Sequence, residues 1–271
     1  MTKNQPIGIF DSGIGGLTVA KAISDLLPNE QLIYFGDTAH FPFGDKSEEA
    51  VKSYAEGIAT FLLQQNCKAI VVACNTASAL AESYLSAFLP KDVLLIDVIQ
   101  PVAAFLNSST FRRVGVIATK GTIGANVYPQ KINALNPDID VLSLATPLLA
   151  PMIEEAFFNN SISQSVINQY LSQDVLKNID ALVLGCTHYP LIETEVQQYY
   201  QQSGQVVAIV NSAKVVALAV QNQLLQLSLL STNKAVNHHF YVSDYTDSFE
   251  KSTKVFFGNQ LKLEKQNIWE G

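Results

Sequence analysis

The chain has 271 residues, 48% of them hydrophobic, so it is long enough for two domains and rich enough in apolar side chains to fill sizeable cores. Its formal net charge is −7 and it carries no Lys/Arg cluster that would follow a phosphate backbone, which argues against nucleic acid as a partner. The apolar runs fall far short of the ~20 residues of a membrane span, and three cysteines make no disulfide framework, so no membrane partner and reduced thiols in the cytoplasm are expected.

The N-terminal residues run directly into a short apolar strand with no cleavage site, so no signal peptide is expected. Residues 7–10 read as a strand, and Leu17, Ala20, Ile23 and Leu27 then share one helical face. Residues 32–35 are a second strand. Ser47 is placed to cap a helix on which Val51, Tyr54, Ala55, Ile58 and Leu62 recur at helical spacing. Residues 69–73 are all apolar, as in a parallel strand buried on both faces. Residues 76–88 read as helix and 93–96 as strand. The alternation predicts an α/β fold with a doubly wound parallel sheet.

The rhythm then repeats. Residues 114–118 read as strand, 119–124 as loop followed by a helical stretch, and 141–144 as strand. Helices are expected over 153–159 and 164–176, strands over 181–185 and 206–210, with Pro190 in the first turn of the helix between them. The two halves superpose as text: "AIVVACNTAS" against "ALVLGCTHYP", each a strand ending in cysteine. Two copies indicate a duplicated domain rather than a solenoid. Residues 97–101 lie between them as a short hinge. The tail adds a long helix after Ser212, a strand at 239–242, a helix near 249–256 and an edge-like strand at 261–263.

Ligands of open α/β sheets gather at the carboxyl ends of the strands. The residues there are Asp11 and Ser12, Asp37, Cys74, Asn75 and Thr76, Thr119, and Cys186, Thr187 and His188. If the halves face each other, the two cysteines approach one cleft from opposite sides. One thiolate can then remove an α-proton while the opposite thiol returns one to the other face, inverting a stereocentre with no cofactor or metal. Each cysteine leads into an expected helix, whose N-terminus favours thiolate. His188, two residues after Cys186, is expected to handle protons.

Competing readings are plain. A free cysteine at a strand end is usually a packed small hydrophobe, and that reading is applied in full to Cys67. Zinc held by Cys74, Cys186 and His188 lacks the usual ligand spacings. The glycine-rich loop at 11–16, with Asp37 some ~20 residues on, invites a dinucleotide, but Thr18 stands where the third glycine belongs. A substrate carboxylate suits the loop better. His40 reads as a solvated loop residue, and the backbone N–H groups of Phe43 and Gly44 as substrate contacts.

The segments "GIFDSGIGGLTV", "DTAHFPFG", "ACNTAS" and "GCTHYPL" together resemble the glutamate racemases of the aspartate/glutamate racemase superfamily. The resemblance implies two similar domains related by pseudo-twofold symmetry with the active site in the cleft, the first discontinuous: residues 1–98 with 213–271, and 99–212. It implies catalytic Cys74 and Cys186, the former serving the D-enantiomer and the latter the L-enantiomer, with supporting Asp11, Asp37, Glu154 and His188. Substrate contacts would come from Asp11 and Ser12, Phe43 and Gly44, Asn75 and Thr76, Thr119, Thr122, Thr187 and His188. The implied substrate is glutamate, the implied product D-glutamate for bacterial peptidoglycan, and the cofactor none. Aspartate racemases and other thiol enzymes of the superfamily, a nicotinamide oxidoreductase and a non-catalytic amino-acid-binding module remain as alternatives, and a homodimer stays open. Phe43 stands where the family usually has tyrosine, His40 where arginine is common, and Gln100 where an acid is common.

Overall fold

The computed structural model describes residues 2–233, 236–245, 253 and 262–269. The chain order is β1 (Ile7–Asp11), α1 (Leu17–Leu26), β2 (Leu32–Gly36), α2 (Glu48–Gln64), β3 (Ala69–Val72), α3 (Asn75–Phe88), β4 (Leu94–Asp97) and α4 (Ile99–Asn107). Then follow β5 (Arg113–Ala118), α5 (Lys120–Gly124), α6 (Val127–Leu135), β6 (Asp140–Ala145), α7 (Leu149–Glu154), α8 (Ser161–Leu171), β7 (Ala181–Gly185), α9 (Glu193–Gln202) and β8 (Ala208–Asn211). The described residues end with α10 (Ser212–Gln226), β9 (His239–Val242) and β10 (Leu263–Lys265).

The strands form two parallel sheets, ordered β10-β9-β2-β1-β3-β4 and β6-β5-β7-β8. Within them β2-β1-β3-β4 and β6-β5-β7-β8 share one order, which is the duplication legible in the text. Register aligns the strand ends: Phe10 lies beside Val72, and Ala118 beside Gly185. The residues that follow therefore emerge side by side at the carboxyl edge of each sheet.

Side-chain alternation sorts the core. Ile7 and Ile9 of β1, Val114 and Val116 of β5, and Ala181 and Val183 of β7 join one cluster with Val216 and Val220 of α10, so the sheets share an inner core. Phe10, Phe35 and Val72 face a second cluster under α2. Leu182 and Leu184 face a third under α8 and α9. Truncating one of these fully buried side chains to alanine costs roughly 2–5 kcal/mol.

Several expected elements shift. Residues 120–124 form helix α5 rather than loop, because the Thr119 side chain caps it by accepting from Thr122 N. At residues 97–101, Asp97 Oδ1 accepts from Ile99 N and Gln100 N, so the chain passes straight from β4 into α4. The helix expected over 153–159 runs instead from Leu149 to Glu154, stopped by positive φ at Ala156 and Asn159. The one expected over 164–176 starts at Ser161, capped by Asn160, and ends at Leu171, with a separate 3-10 turn at Asp174–Leu176. Pro190 lies in a 3-10 turn, Tyr189–Ile192, that leads into α9. Strand β8 begins at Ala208, and Val206 is exposed. The edge strand runs from Leu263 to Lys265, and the helix expected near 249–256 lies, Thr253 apart, outside the described residues.

Candidate active site

Cys74 leaves β3 and caps α3, its sulfur accepting from Ala77 N at 3.4 Å and lying 3.7 Å from Ser12 Oγ, to which the thiol donates. The helix N-terminus alone would favour thiolate, yet the group is buried and the opposite prevails. Burial pushes the Cys74 thiol up to about 12, the Asp11 charge adding to it, while Ala77 N–H and Ser12 oppose. A charge on Cys186 is also felt at Cys74, so the two thiols share one electrostatic site.

Cys186 leaves β7 at the equivalent point, but a 3-10 turn follows it and not an α-helix. Its sulfur lies 3.7 Å from His188 Nδ1, and the other ring nitrogen of His188 pairs with the Glu154 carboxylate. All three are buried. Burial pulls the His188 imidazole down, but the Glu154 charge and the Cys186 contact outweigh it and hold its pKa well above the usual value. Thiol, imidazole and carboxylate form a chain from β7 to α7. Gly15 makes room for it, since a Cβ there would meet the His188 ring at 2.5 Å.

Asp11 joins the two sides. Its Oδ2 accepts from Gly13 N and Gly16 N, each at 3.1 Å, and its Oδ1 accepts from Thr187 Oγ1 at 3.3 Å. The glycine loop thus spends two of its N–H groups on the chain's own carboxylate. Burial raises the Asp11 carboxyl, opposed by the His188 charge and these N–H donors.

The residues after each cysteine reach into the opposite half. Asn75 Oδ1 accepts from Tyr128 OH of α6 at 2.7 Å. Thr76 Oγ1 lies 2.9 Å from Thr119 Oγ1 and 3.2 Å from Thr122 Oγ1, which are 3.0 Å apart. Thr187 O accepts from Thr18 Oγ1 at 2.9 Å. Gly44 is pressed against Thr119, where a Cβ would meet the side chain at 2.8 Å. The Phe43 ring is fully buried beside Tyr54.

Asp37 is placed differently. It accepts from Ser243 Oγ at 2.7 Å and Trp269 Nε1 at 3.1 Å, and lies 2.9 Å from His40 Nδ1; neither thiol is among these partners. Burial raises its carboxyl, with those partners opposing. His40 is no solvated loop residue: it stacks on Tyr54 at 4.0 Å and meets Trp269 edge-on. Cys67 is a packed hydrophobe against Gly8, its thiol pushed up to about 12 by burial.

Sequence reasoning passed over Tyr128 and Thr18. A tyrosine amid a polar helix carries no signal of its own. In the sequence Thr18 stands out only as a missing glycine, whereas its hydroxyl ties α1 to the Cys186 loop.

The whole chain has relatives. It is 42% identical over 259 residues to a glutamate racemase of Geobacter metallireducens, covering 95% of this chain and 94% of that protein. It is similar to the structure of a glutamate racemase of Francisella tularensis in complex with D-glutamate, with a TM-score of 0.90 and 38% identity over 99% of this chain and 100% of that one. A second structure, glutamate racemase isoform RacE1 of Bacillus anthracis, matches with a TM-score of 0.91 and 35% identity over 97% of this chain and 98% of that one. With the Asp/Glu/Hydantoin racemase model matching residues 16–220 as well, the chain belongs to that racemase family.

Proposed function

We propose that the chain is a cofactor-independent glutamate racemase in which Cys74 and Cys186 exchange protons with opposite faces of the α-carbon. The observation that carries this is the pair of buried thiols at equivalent strand ends, each tied through its neighbours to the opposite half. The relatives' names supply the substrate.

From L-glutamate, the Cys186 thiolate takes the α-proton and the Cys74 thiol delivers one to the other face. D-glutamate leaves, with Cys186 now a thiol and Cys74 a thiolate. The reverse turnover, or exchange with water, resets the pair. His188, charged and paired with Glu154, balances the Cys186 thiolate. Ser12, Asp11 and the α3 N-terminus surround Cys74, whose raised pKa keeps it in the protonated thiol form that has a proton to deliver. Phe43 and Gly44, Asn75, Thr76, Thr119, Thr122, Thr187 and His188 ring the substrate. Asp37 supports from a distance, by tying the 38–45 segment to Ser243 and Trp269. Because both transfers are done by thiols, the reaction needs no imine or redox group. The two units are residues 1–98 with 213–271, and 99–212, the β9 and β10 pairing with the first sheet supporting that division. Among the described residues no helix is long and apolar enough to cross a membrane, and we place the enzyme in the bacterial cytoplasm, supplying D-glutamate for peptidoglycan.

Circular dichroism of L- and D-glutamate with purified protein and no added cofactor tests this. Each enantiomer should decay to the racemate, gaining α-deuterium in heavy water. Faster racemisation of aspartate would remove glutamate as the substrate, and absence of exchange would remove the mechanism.

A further inference from the structure

Asn75 opens α3 directly after Cys74 and is 3% exposed. A side-chain amide can turn either its oxygen or its NH2 toward a cleft, and only the NH2 can donate to a carboxylate. Here the oxygen is engaged by the Tyr128 hydroxyl at 2.7 Å. Tyr128 is fully buried on α6, and burial raises its phenol, so it stays a donor throughout the working pH range. Among the described residues the Asn75 amide nitrogen meets no protein acceptor and is not sealed from solvent.

We propose that Tyr128 is a positioning residue for the reaction: reaching across from the second half, its hydroxyl holds the Asn75 amide with the NH2 turned to the cleft, where it donates to a substrate carboxylate. The identity of that substrate rests on the glutamate reading. Tyr128 and Asn75 belong to different halves, so the donor is in its pose only while the halves are together. The neighbouring Thr76 is held in the same manner by Thr119 and Thr122.

The test is a double-mutant cycle of Tyr128→Phe and Asn75→Ala, read as KM and kcat for both enantiomers. Each single change should raise KM roughly tenfold with kcat held within about threefold, the pattern of lost uniform binding. The double variant should also sit near tenfold and not near a hundredfold, because Tyr128 acts through Asn75. An unchanged KM in Tyr128→Phe, multiplying effects in the double variant, or a fall in kcat alone would overturn the proposal. Should Tyr128→Phe fail to fold, Tyr128→Met, which also removes the hydroxyl, takes its place: a KM raised about tenfold with kcat held within about threefold supports the proposal, and a wild-type KM ends it. A wild-type protein that racemises aspartate and not glutamate undoes only the substrate reading, and the cycle is then read with aspartate. A protein inert toward both removes both claims.

Discussion

The two halves deliver their thiols from the same topological point into different surroundings. Cys74 caps a long helix and meets a hydroxyl, with a carboxylate nearby. Cys186 precedes a short 3-10 turn and meets an imidazole backed by a carboxylate. Duplication thus preserved the position and let the electrostatics diverge. On the proposed mechanism the divergence has a meaning. The groups beside each thiol can be weighed separately, the imidazole and carboxylate at Cys186 and the hydroxyl at Cys74.

The largest expected effect removes one partner at a time. Cys74→Ser and Cys186→Ser should each lower racemisation on the order of 10³-fold or more, since a hydroxyl is a far weaker acid than a thiol. A good leaving group on the β-carbon turns proton removal into elimination and exposes each face alone. Cys74→Ser should still eliminate from the L-form and Cys186→Ser from the D-form, read as release of the leaving group. Equal selectivity in the two variants would break the claim of opposed faces, and full racemisation in both would end the two-thiol mechanism.

A smaller effect asks whether the surroundings truly differ in weight. Enantiomers have equal free energy, so kcat/KM for racemisation must fall equally in both directions whatever is mutated. The irreversible elimination is therefore the informative assay. His188→Asn should slow elimination from the L-form about 10²-fold and leave the D-form within about threefold. Ser12→Ala should do the reverse, by about tenfold. Parallel losses from both enantiomers in His188→Asn would show that the imidazole serves the site as a whole.

The smallest effect is on stability. His188 has a folded pKa raised above its ordinary 6.5, so its stabilising contribution is complete below that value and is lost as pH rises through the folded pKa. The Tm difference between wild type and His188→Asn should shrink by a few degrees as pH rises above about 6.5. Cys74 behaves otherwise: with its thiol held near 12, it is neutral folded and unfolded until pH passes the ordinary 9.0. The unfolded thiol then ionises and the folded one does not, so stability falls only beyond that point. Matching calorimetric pH profiles for the two variants would contradict the contrast.

Much of this was legible in the text because parallel strands buried on both faces appear as unbroken apolar runs. Residues 69–73 and 181–185, each followed directly by a cysteine, announce both the sheets and the thiols. The pattern failed where long-range contacts or caps decide. Helix α5 reads as loop because Lys-Gly-Thr-Ile-Gly is glycine-rich, and only the Thr119 cap makes it helical. Asp37 shares its strand-end position with Asp11, yet Trp269 and Ser243, which claim it, lie more than two hundred residues away. Tyr128 was silent because its partner, Asn75, belongs to the other half.

The order of the first sheet bears on synthesis. Strands β9 and β10 are added outside β2 by residues after 238, whereas among the described residues the second sheet ends its last strand at Asn211. A ribosome therefore releases all of the second sheet while β2 still presents an unpaired edge, a template for mispairing between nascent chains. The sheet of residues 113–211 can finish folding first, and the sheet begun at the N-terminus must wait, its β2 edge exposed, until β9 and β10 emerge to cover it.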